Sequence, residues 1–438
     1  MNLRAGASTV DITPGDSQFL FGYPHVERYS TGVHDRIYTS ALVLYDGTDF
    51  AVFVTNDVIF VDRKIVSSAR RRIASSTPIP AGNILVSATH THSAPLTVDH
   101  LSNEADPAVP KADPAYRGLI EDAIVTAVTE AHHRLVDARY SISTVDATGI
   151  GTNRRDPDGP KDLEVPVLYL EEAGASTRPK PIACMIVCSM HPTVLHEDST
   201  LISADFPGFA RAYVKKTLIG QETPFLYHTG PAGNQSPRHV TRANSFAEAE
   251  RLGEILGRAV VSGIDRSAIS DPPEIRVRSE LIDLPVKRFP TVESAAERLR
   301  GANDRLSEAR KLNRSKQDIR TAEVDWFGAE ETLTLAKAAR DGRVSVYASR
   351  SLPAEIMVIE IGSTTFVGIP GELFVEYSLE IRGRRPGTFV ISLANGELQG
   401  YIVTEDAAEK GGYEAANALF DHTSGPKLVE AARVLLDG

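Results

Sequence analysis

One order of elements restricts the folds open to this sequence: a β-hairpin, a helix and a further strand. In "TSALVLYDGTDFAVFVTND" (39–57), Asp46-Gly47 separates two apolar runs, which predicts a hairpin. A helical pattern follows in "RKIVSSARRRIASS" (63–76), and the apolar run "NILVSATHTHSAP" (83–95) comes next. This order is typical of α/β chains, and it places polar residues at the carboxyl end of the last strand.

The same order is predicted a second time, in residues 355–404. "EIMVIEIGSTTFVGIPGELF" indicates a hairpin, "FVEYSLEIRGRR" a helix and "TFVISLANGELQGYIVT" a further strand. One interpretation is a diverged internal repeat. We favour the other, that the two units are unrelated, because hairpins with helices are common in α/β chains. Two more apolar runs, in 181–198 and 224–237, stop at polar loops that contain proline. Such loops at strand ends are where α/β folds usually keep their sites.

The segment 291–343 is highly charged, with apolar residues at helical spacing, and predicts a helical hairpin. We favour a solvated excursion from the core, with a lid or a dimer contact as the alternative. Homo-oligomerisation therefore stays open.

Composition narrows the function classes. The 438 residues carry a net charge of −11 and no basic cluster, which argues against nucleic acid as a partner. The start lacks an apolar leader and no window is long and apolar enough to span a bilayer, so we expect a cytoplasmic protein without stable membrane association. Cys184 and Cys188 are expected to be buried thiols. The P-loop, the zincin helix and the G-x-S-x-G motif are missing from the sequence.

Histidines and a carboxylate at strand ends fit a metal site. His90 and His92 would point the same way if the strand continued through them, and imidazole is a good zinc ligand. His191 ends another apolar run, and Glu372 directly follows Ile-Pro-Gly. The alternatives are a hydrogen-bonded histidine pair, a structural histidine and a carboxylate that stabilises a helix N-terminus.

Six short motifs occur in an order that resembles the neutral ceramidase family, from about Val10 to Tyr413. They are "ATHTHSAP", "TNRRDP", "SMHPTVL", "GPAGNQSP", "IPGELF" and "GYIVT". The resemblance implies one mixed-sheet α/β catalytic domain over 1–438, with 291–343 as a helical excursion within it.

The resemblance also implies a Zn²⁺ ion and the residues that hold it. The ligands would be His90, His191, Glu372 and Tyr401. Two histidines and a carboxylate are, independently, a common ligand set of hydrolytic zinc.

Three further residues match catalytic positions of the family. His92 would carry a proton to the leaving amine, and Arg154 would stabilise the oxyanion together with Tyr401. Ser236 would bind the carbonyl or act as a nucleophile, with a turn serine before Pro237 as the structural alternative.

Departures from the family pattern bear on the substrate. Asn234 replaces an aspartate, the family's Gly-rich continuation after the histidines is missing, and the residues after about 430 are too few for a C-terminal β-sandwich. We therefore predict a hydrolase that cleaves the N-acyl amide bond of a soluble small molecule with a zinc-activated water. The alternatives are an ester, lactone or sugar-derived substrate, ceramide itself, or a non-enzymatic metal- or lipid-binding protein.

Overall fold

The structure is a computed structural model that describes residues 2–174, 180–264 and 273–438. Within these ranges it contains 18 strands and 11 α-helices. The strands are β1 (Arg4–Asp11), β2 (Gly32–Val33), β3 (Tyr38–Tyr45), β4 (Phe50–Asn56), β5 (Ile84–Ala88), β6 (Val136–Asp146), β7 (Thr152–Asn153), β8 (Glu164–Glu172), β9 (Pro181–Cys188), β10 (Leu201–Ile202), β11 (Phe225–Thr229), β12 (Gln235–Ser236), β13 (Ile275–Ile282), β14 (Ala354–Ile361), β15 (Thr364–Gly368), β16 (Glu372–Leu373), β17 (Thr388–Ile391) and β18 (Tyr401–Ile402). The helices are α1 (Arg63–Ser76), α2 (Pro114–His133), α3 (Asp205–Val214), α4 (Phe246–Gly263), α5 (Val292–Lys311), α6 (Lys316–Arg340), α7 (Arg343–Ala348), α8 (Val375–Arg384), α9 (Glu405–Lys410), α10 (Tyr413–Asn417) and α11 (Ser424–Asp437).

Two mixed sheets form the centre of the fold. The larger sheet has the strand order β11-β9-β8-β6-β1-β3-β4-β5, and the smaller has the order β13-β14-β15-β17. Most neighbours are antiparallel, whereas β4–β5, β9–β11 and β15–β17 are parallel. The predicted α/β class with mixed sheets is confirmed.

The sheets pack face to face through large apolar side chains. Phe53 of β4 meets Phe366 of β15 edge to face, with ring centroids 5.4 Å apart, and Phe389 and Met357 lie in the same cluster. Burying one such side chain contributes about 1.5–3 kcal/mol. Helices α1 to α4 cover the outer face of the larger sheet, and α8 and α11 pack against the smaller one.

The order hairpin, helix, strand is confirmed where the sequence predicts it. Strands β3 and β4, helix α1 and strand β5 form one unit, and β14, β15, α8 and β17 form the other. A further unit consists of β8, β9, α3 and β11. Its hairpin carries no tight-turn signal, so periodicity alone did not show it. In all three units the last strand lies parallel to the second strand of the hairpin.

The predicted helical hairpin is also confirmed, as α5 and α6. It is not the solvated excursion that we favoured, because α6 packs on the body of the protein. Trp326 and Phe327 lie against the ring of His25, with centroids 4.6 and 5.3 Å away. Leu335 is fully buried in the cluster beside the smaller sheet. The apolar residues of α6 therefore pack against the rest of the protein as well as against α5.

Two further expectations concern cysteine chemistry and bilayers. Cys184 and Cys188 are buried free thiols, and burial raises the pKa of the Cys188 thiol to about 12. Among the helices of the described ranges, none is both long and apolar enough to cross a bilayer.

Candidate metal centre

His90 lies just beyond strand β5, which ends at Ala88. Its backbone has φ +67°, a left-handed conformation that costs a residue with a Cβ atom free energy. The ring is fixed by its Nδ1 atom, 3.0 Å from the main-chain oxygen of Ile59. The turn, rather than an extended strand, thus aims this side chain, and the strand geometry assumed for the H-x-H motif is wrong.

Main-chain oxygens hold the other two histidine rings in the same way. His191 follows β9, and its Nδ1 atom lies 2.6 Å from the oxygen of Ala232 and 3.2 Å from that of Gln235. The Nδ1 atom of His92 lies 3.2 Å from the oxygen of Gly22. A carbonyl oxygen can only accept, so each Nδ1 carries a proton and each Nε2 is left as a potential ligand atom.

The Nε2 atoms converge on one point together with a carboxylate. The Nε2 of His90 lies 3.0 Å from that of His191 and 3.4 Å from that of His92. The Oε2 atom of Glu372 lies 3.2 Å from His90 Nε2 and 3.1 Å from His191 Nε2. His90, His92 and His191 could hold a metal ion, as all their ligand atoms lie within 4.8 Å of one another.

Charge and burial set the protonation of this cluster. Burial, with Arg154 as the next cause, lowers the pKa of His191 to about 4. Burial together with His90 and His191 lowers the pKa of His92 well below its ordinary value. Burial alone would raise the pKa of Glu372, but the adjacent His90 and His191 outweigh it and lower that pKa strongly. The rings of His191 and His92 are therefore neutral and Glu372 is ionised at neutral pH, the states in which these groups bind a cation.

A zinc ion fits these donors. Bonds of about 2.0 Å in a tetrahedral site place neighbouring ligand atoms about 3.3 Å apart. The three distances that join the Nε2 atoms of His90 and His191 and the Oε2 atom of Glu372 run from 3.0 to 3.2 Å. Imidazole nitrogen together with carboxylate oxygen is also a donor set typical of zinc, whereas calcium and magnesium sites are built of oxygen ligands alone.

Tyr401 and Arg154 lie beside the cluster, as the sequence predicts. Tyr401 pairs with Glu372 through the parallel strands β16 and β18. The Arg154 guanidinium lies 5.2 Å from the centre of the Tyr401 ring, and its Nε donates to Glu414 at 2.9 Å. Burial and Glu372 raise the pKa of Tyr401, and Arg154 opposes them. The buried Nη2 of Arg154 has no hydrogen-bond partner among the described residues, so a donor is available at this position.

Ser236 has a structural environment. Its hydroxyl accepts a hydrogen bond from the Arg238 amide at 3.2 Å and begins a single helical turn. Among the described residues, no hydrogen bond joins Ser236 to the histidines, although Gln235 before it contacts His191 through its main-chain oxygen. This is the environment of the turn serine that the sequence left as an alternative.

Asn234 connects the loop after β11 to helix α8. Its Oδ1 accepts from the Val375 amide at 2.9 Å, and its Nδ2 donates to Glu376 at 2.8 Å. Its main-chain oxygen accepts from the Arg154 amide at 2.8 Å. An aspartate could not donate to Glu376, so the asparagine suits this chain's own neighbour.

Several residues of the site were missed in the sequence. Arg28 is fully buried; it donates from Nε to the Ser199 oxygen at 2.7 Å, from Nη2 to Ser93 Oγ at 3.0 Å and from Nη1 to the His92 oxygen. It holds the loop that carries two of the three histidines. Arg28 stands in a stretch without hydrophobic periodicity, so no local signal points to it.

The cavity at the cluster adds further residues. Besides the ligands it is lined by Asn103, Glu331, Tyr413 and Asn417 and by an apolar group of Phe21, Pro24, Ile59 and Phe60. Tyr413 and Glu414 could have been picked out as candidate site residues from the sequence, since these two polar residues follow Gly-Gly in "KGGYEAAN".

The fold and this cluster define an α/β protein with a buried group of histidines that could hold a metal ion, beside a buried carboxylate. The sequence model of the neutral/alkaline non-lysosomal ceramidases, N-terminal part, matches residues 3–237. The chain thus belongs to the neutral/alkaline non-lysosomal ceramidase family, as its motifs indicated.

Individual relatives are distant. Neutral ceramidase A of Dictyostelium discoideum is 28% identical over 246 residues, which cover 52% of this chain and 34% of that protein. Neutral ceramidase of Pseudomonas aeruginosa is 22% identical over 316 residues, 64% of this chain and 46% of that protein. The chain thus spans from about a third to less than half of the length of these relatives.

Solved structures share the fold. The crystal structure of neutral ceramidase from Pseudomonas aeruginosa matches with a TM-score of 0.75 and 18% identity, over all of this chain and 75% of that chain. A ceramidase complexed with C2 matches with a TM-score of 0.74 and 16% identity, over all of this chain and 76% of that chain.

Proposed function

We propose that this chain is a zinc-dependent hydrolase that cleaves the amide bond of an N-acyl compound. The observation that carries the proposal is the convergence of His90, His92 and His191 with Glu372. Three Nε2 atoms and a carboxylate oxygen face one another, while the opposite nitrogen of each ring is held by the main chain. Such ring orientation by outer hydrogen bonds is typical of metal sites.

His90, His191, Glu372 and Tyr401 are the proposed zinc ligands. When bound, zinc polarises a carbonyl group and lowers the pKa of a water molecule to about 7. Glu372 supplies the negative charge that holds the cation. The contacts at Nδ1 keep the histidine rings turned so that Nε2 faces the ion. The left-handed turn at His90 is thereby explained as strain kept for ligand placement.

Two side chains are proposed to act on the substrate. Arg154 carries a buried Nη2 without a hydrogen-bond partner in the described structure and would donate to the oxyanion, with Tyr401. His92 has a low pKa and would carry a proton from the attacking water to the nitrogen of the leaving amine as the C–N bond breaks. Ser236 is proposed to support the turn, because its hydroxyl already accepts from Arg238.

The substrate proposed here is a soluble N-acyl compound. A cytoplasmic location, the absence of stable membrane association and a small molecule as the substrate belong to the same proposal, supported by the net charge of −11. Ceramide is the second candidate. The family and the apolar cavity residues Phe21, Ile59 and Phe60 favour it, since an acyl chain would contact such a wall.

The test measures kcat/KM of zinc-loaded protein for N-acyl amides of graded chain length, the matching esters, and ceramide in detergent micelles. A preference for short soluble amides supports the proposal, and a preference for ceramide supports the second candidate. Esters cleaved without any amide turnover would contradict both. A zinc-loaded protein with no turnover of any substrate would indicate a binding protein.

A further inference from the structure

The cavity at the metal-ligand cluster has a polar group of residues that the proposed reaction does not use. Asn103, Glu331 and Asn417 line the same cavity as His90, His92 and Glu372. None of the three is a proposed metal ligand. They stand apart in sequence from every motif that the family resemblance rests on.

Glu331 is the most unusual of these residues. It is 1% exposed, and one of its oxygens accepts a hydrogen bond from Asn417 Nδ2. Within the described part of the chain, no cationic side chain lies within ion-pairing distance of it. Burying a carboxyl group without a cation is unfavourable unless the group is protonated or finds a partner. Burial, with Glu330 and Asp106 nearby, accordingly raises the pKa of Glu331 to about 8.

Helix α6 presents Glu331 from a fixed position. One contact of the helix is the packing of Trp326 and Phe327 on His25. Another is the ion pair of Arg320 with Glu197, at 2.8 Å, in the loop that follows His191. The helix therefore contacts two of the loops that surround the ligand cluster. These contacts hold the Glu331 carboxyl group in a defined position in the cavity.

We propose that Glu331, with Asn103 and Asn417, forms the subsite that binds a hydrogen-bond donor of the substrate, a hydroxyl or an ammonium group near the scissile amide. This rests on the proposed function and narrows its substrate class. The side-chain oxygens of these residues are acceptors placed beside the reacting centre. A substrate that brings a donor gives the acceptor oxygens in this part of the cavity a further partner besides Asn417, and one that lacks a donor leaves them without it. Sites of this kind discriminate strongly against analogues without the donor.

The test compares three soluble N-acyl amines of the same size, whose amine part carries a hydroxyl, an ammonium or a methyl group. Glu331→Met removes the acceptors at similar volume, and Glu331→Gln keeps one oxygen without the charge. We expect Glu331→Met to lower kcat/KM about tenfold or more for the hydroxyl and ammonium substrates and less than threefold for the methyl analogue. Glu331→Gln distinguishes the two donors, because its amide oxygen still accepts from a hydroxyl group but supplies no negative charge to an ammonium group. It should therefore spare the hydroxyl substrate and impair the ammonium substrate.

Asp325→Asn is the matched control on the same helix, since Asp325 is 45% exposed, pairs with Arg305 at 3.8 Å and does not line the cavity. It should not change the ratio of the substrates. Equal losses for all three substrates in Glu331→Met, or no loss for any, would overturn the subsite. If Glu331→Met fails to fold, the ratio measured in Glu331→Gln decides: unchanged selectivity for the ammonium substrate over the methyl analogue overturns the subsite. Absence of amide turnover in the wild type would instead contradict the proposed function, which keeps the two failures distinguishable.

Discussion

The Nε2 atoms of His90 and His191 lie 3.0 Å apart, although the Nδ1 atom of each ring already faces a main-chain oxygen. Two lone pairs at that distance repel each other, so this contact is favourable only with a cation or an extra proton between the rings. Burial lowers the pKa of His191 to about 4, so this ring does not supply the proton at neutral pH. A metal ion resolves the contact, and the first two predictions follow from it.

Purified without chelator, the protein should hold about one zinc ion per chain. His90→Ala and His191→Ala should each lose the metal, because each removes a ligand from a site that only the folded chain assembles. Metal analysis by mass spectrometry measures this. His133→Ala, which changes an exposed histidine at the end of α2, is the control and should keep the ion. Normal metal content in both site variants would show that the ligands are assigned wrongly.

Arg154→Ala and His92→Ala should keep zinc and lose activity by about 10²-fold or more, since the proposed ligands remain while an oxyanion donor or a proton carrier is removed. Steady-state kinetics beside metal analysis test this. Loss of zinc in His92→Ala would make this histidine a ligand instead. Wild-type turnover in either variant would leave that residue a structural role.

Ser236→Ala should retain zinc and activity within about threefold. The hydroxyl accepts from Arg238 at the start of a turn, so the expected cost is about 1 kcal/mol of stability. Turnover and urea unfolding measure the two effects. A loss of activity of 10³-fold in a folded, zinc-loaded variant would instead support the nucleophile.

Arg28→Met should destabilise the protein by about 2–4 kcal/mol, because it leaves Ser93 Oγ and the buried main-chain oxygens of His92 and Ser199 without their donor. Urea unfolding gives the value. Arg36→Met is the control, since that arginine is 67% exposed in its pair with Asp11, and its effect should stay below about 1 kcal/mol. Similar effects of the two substitutions would contradict the role given to Arg28.

Stability should depend on pH through Glu331. Its pKa is about 8 in the folded protein against an ordinary value of 4.5, so between these values the folded state holds a proton that the unfolded state has released. The contribution is fully present below pH 4.5 and is lost as the pH rises through 8. Urea unfolding at pH 5 and pH 8.5, at constant zinc, should show wild type losing stability relative to Glu331→Gln. Parallel curves for these two proteins would contradict the raised pKa of Glu331, and the control Asp325→Asn should follow the wild type.

Local patterns predicted much of the fold. Helix α1 has the predicted bounds, 63–76. Asp62 caps its N-terminus, because its side chain accepts a hydrogen bond from the Ile65 amide. The hairpin turn at Asp46-Gly47 is present, with Gly47 at φ +101°. These features depend on neighbours in the sequence, and sequence periodicity therefore reports them.

Long-range relationships could not be predicted in the same way. The central strand β1, "RAGASTVD", has little apolar periodicity, and its place between β3 and β6 is set by partners far along the chain. The aim of His90 depends on a left-handed backbone that no motif announces. Glu331 looked like one more charge on a solvated helix, because its burial follows from where α6 docks rather than from its neighbours.

The proposed ligands come from both halves of the sandwich. His90 and His191 follow strands of the larger sheet, whereas Glu372 follows a strand of the smaller one. An ion held by all three would connect the two sheets at one edge. A small shift of one sheet relative to the other would then disturb the coordination of the ion. Metal affinity would then depend on the alignment of the two sheets, so that a cavity made at Phe53 or Phe366, where the sheets pack on each other, should speed release of the ion.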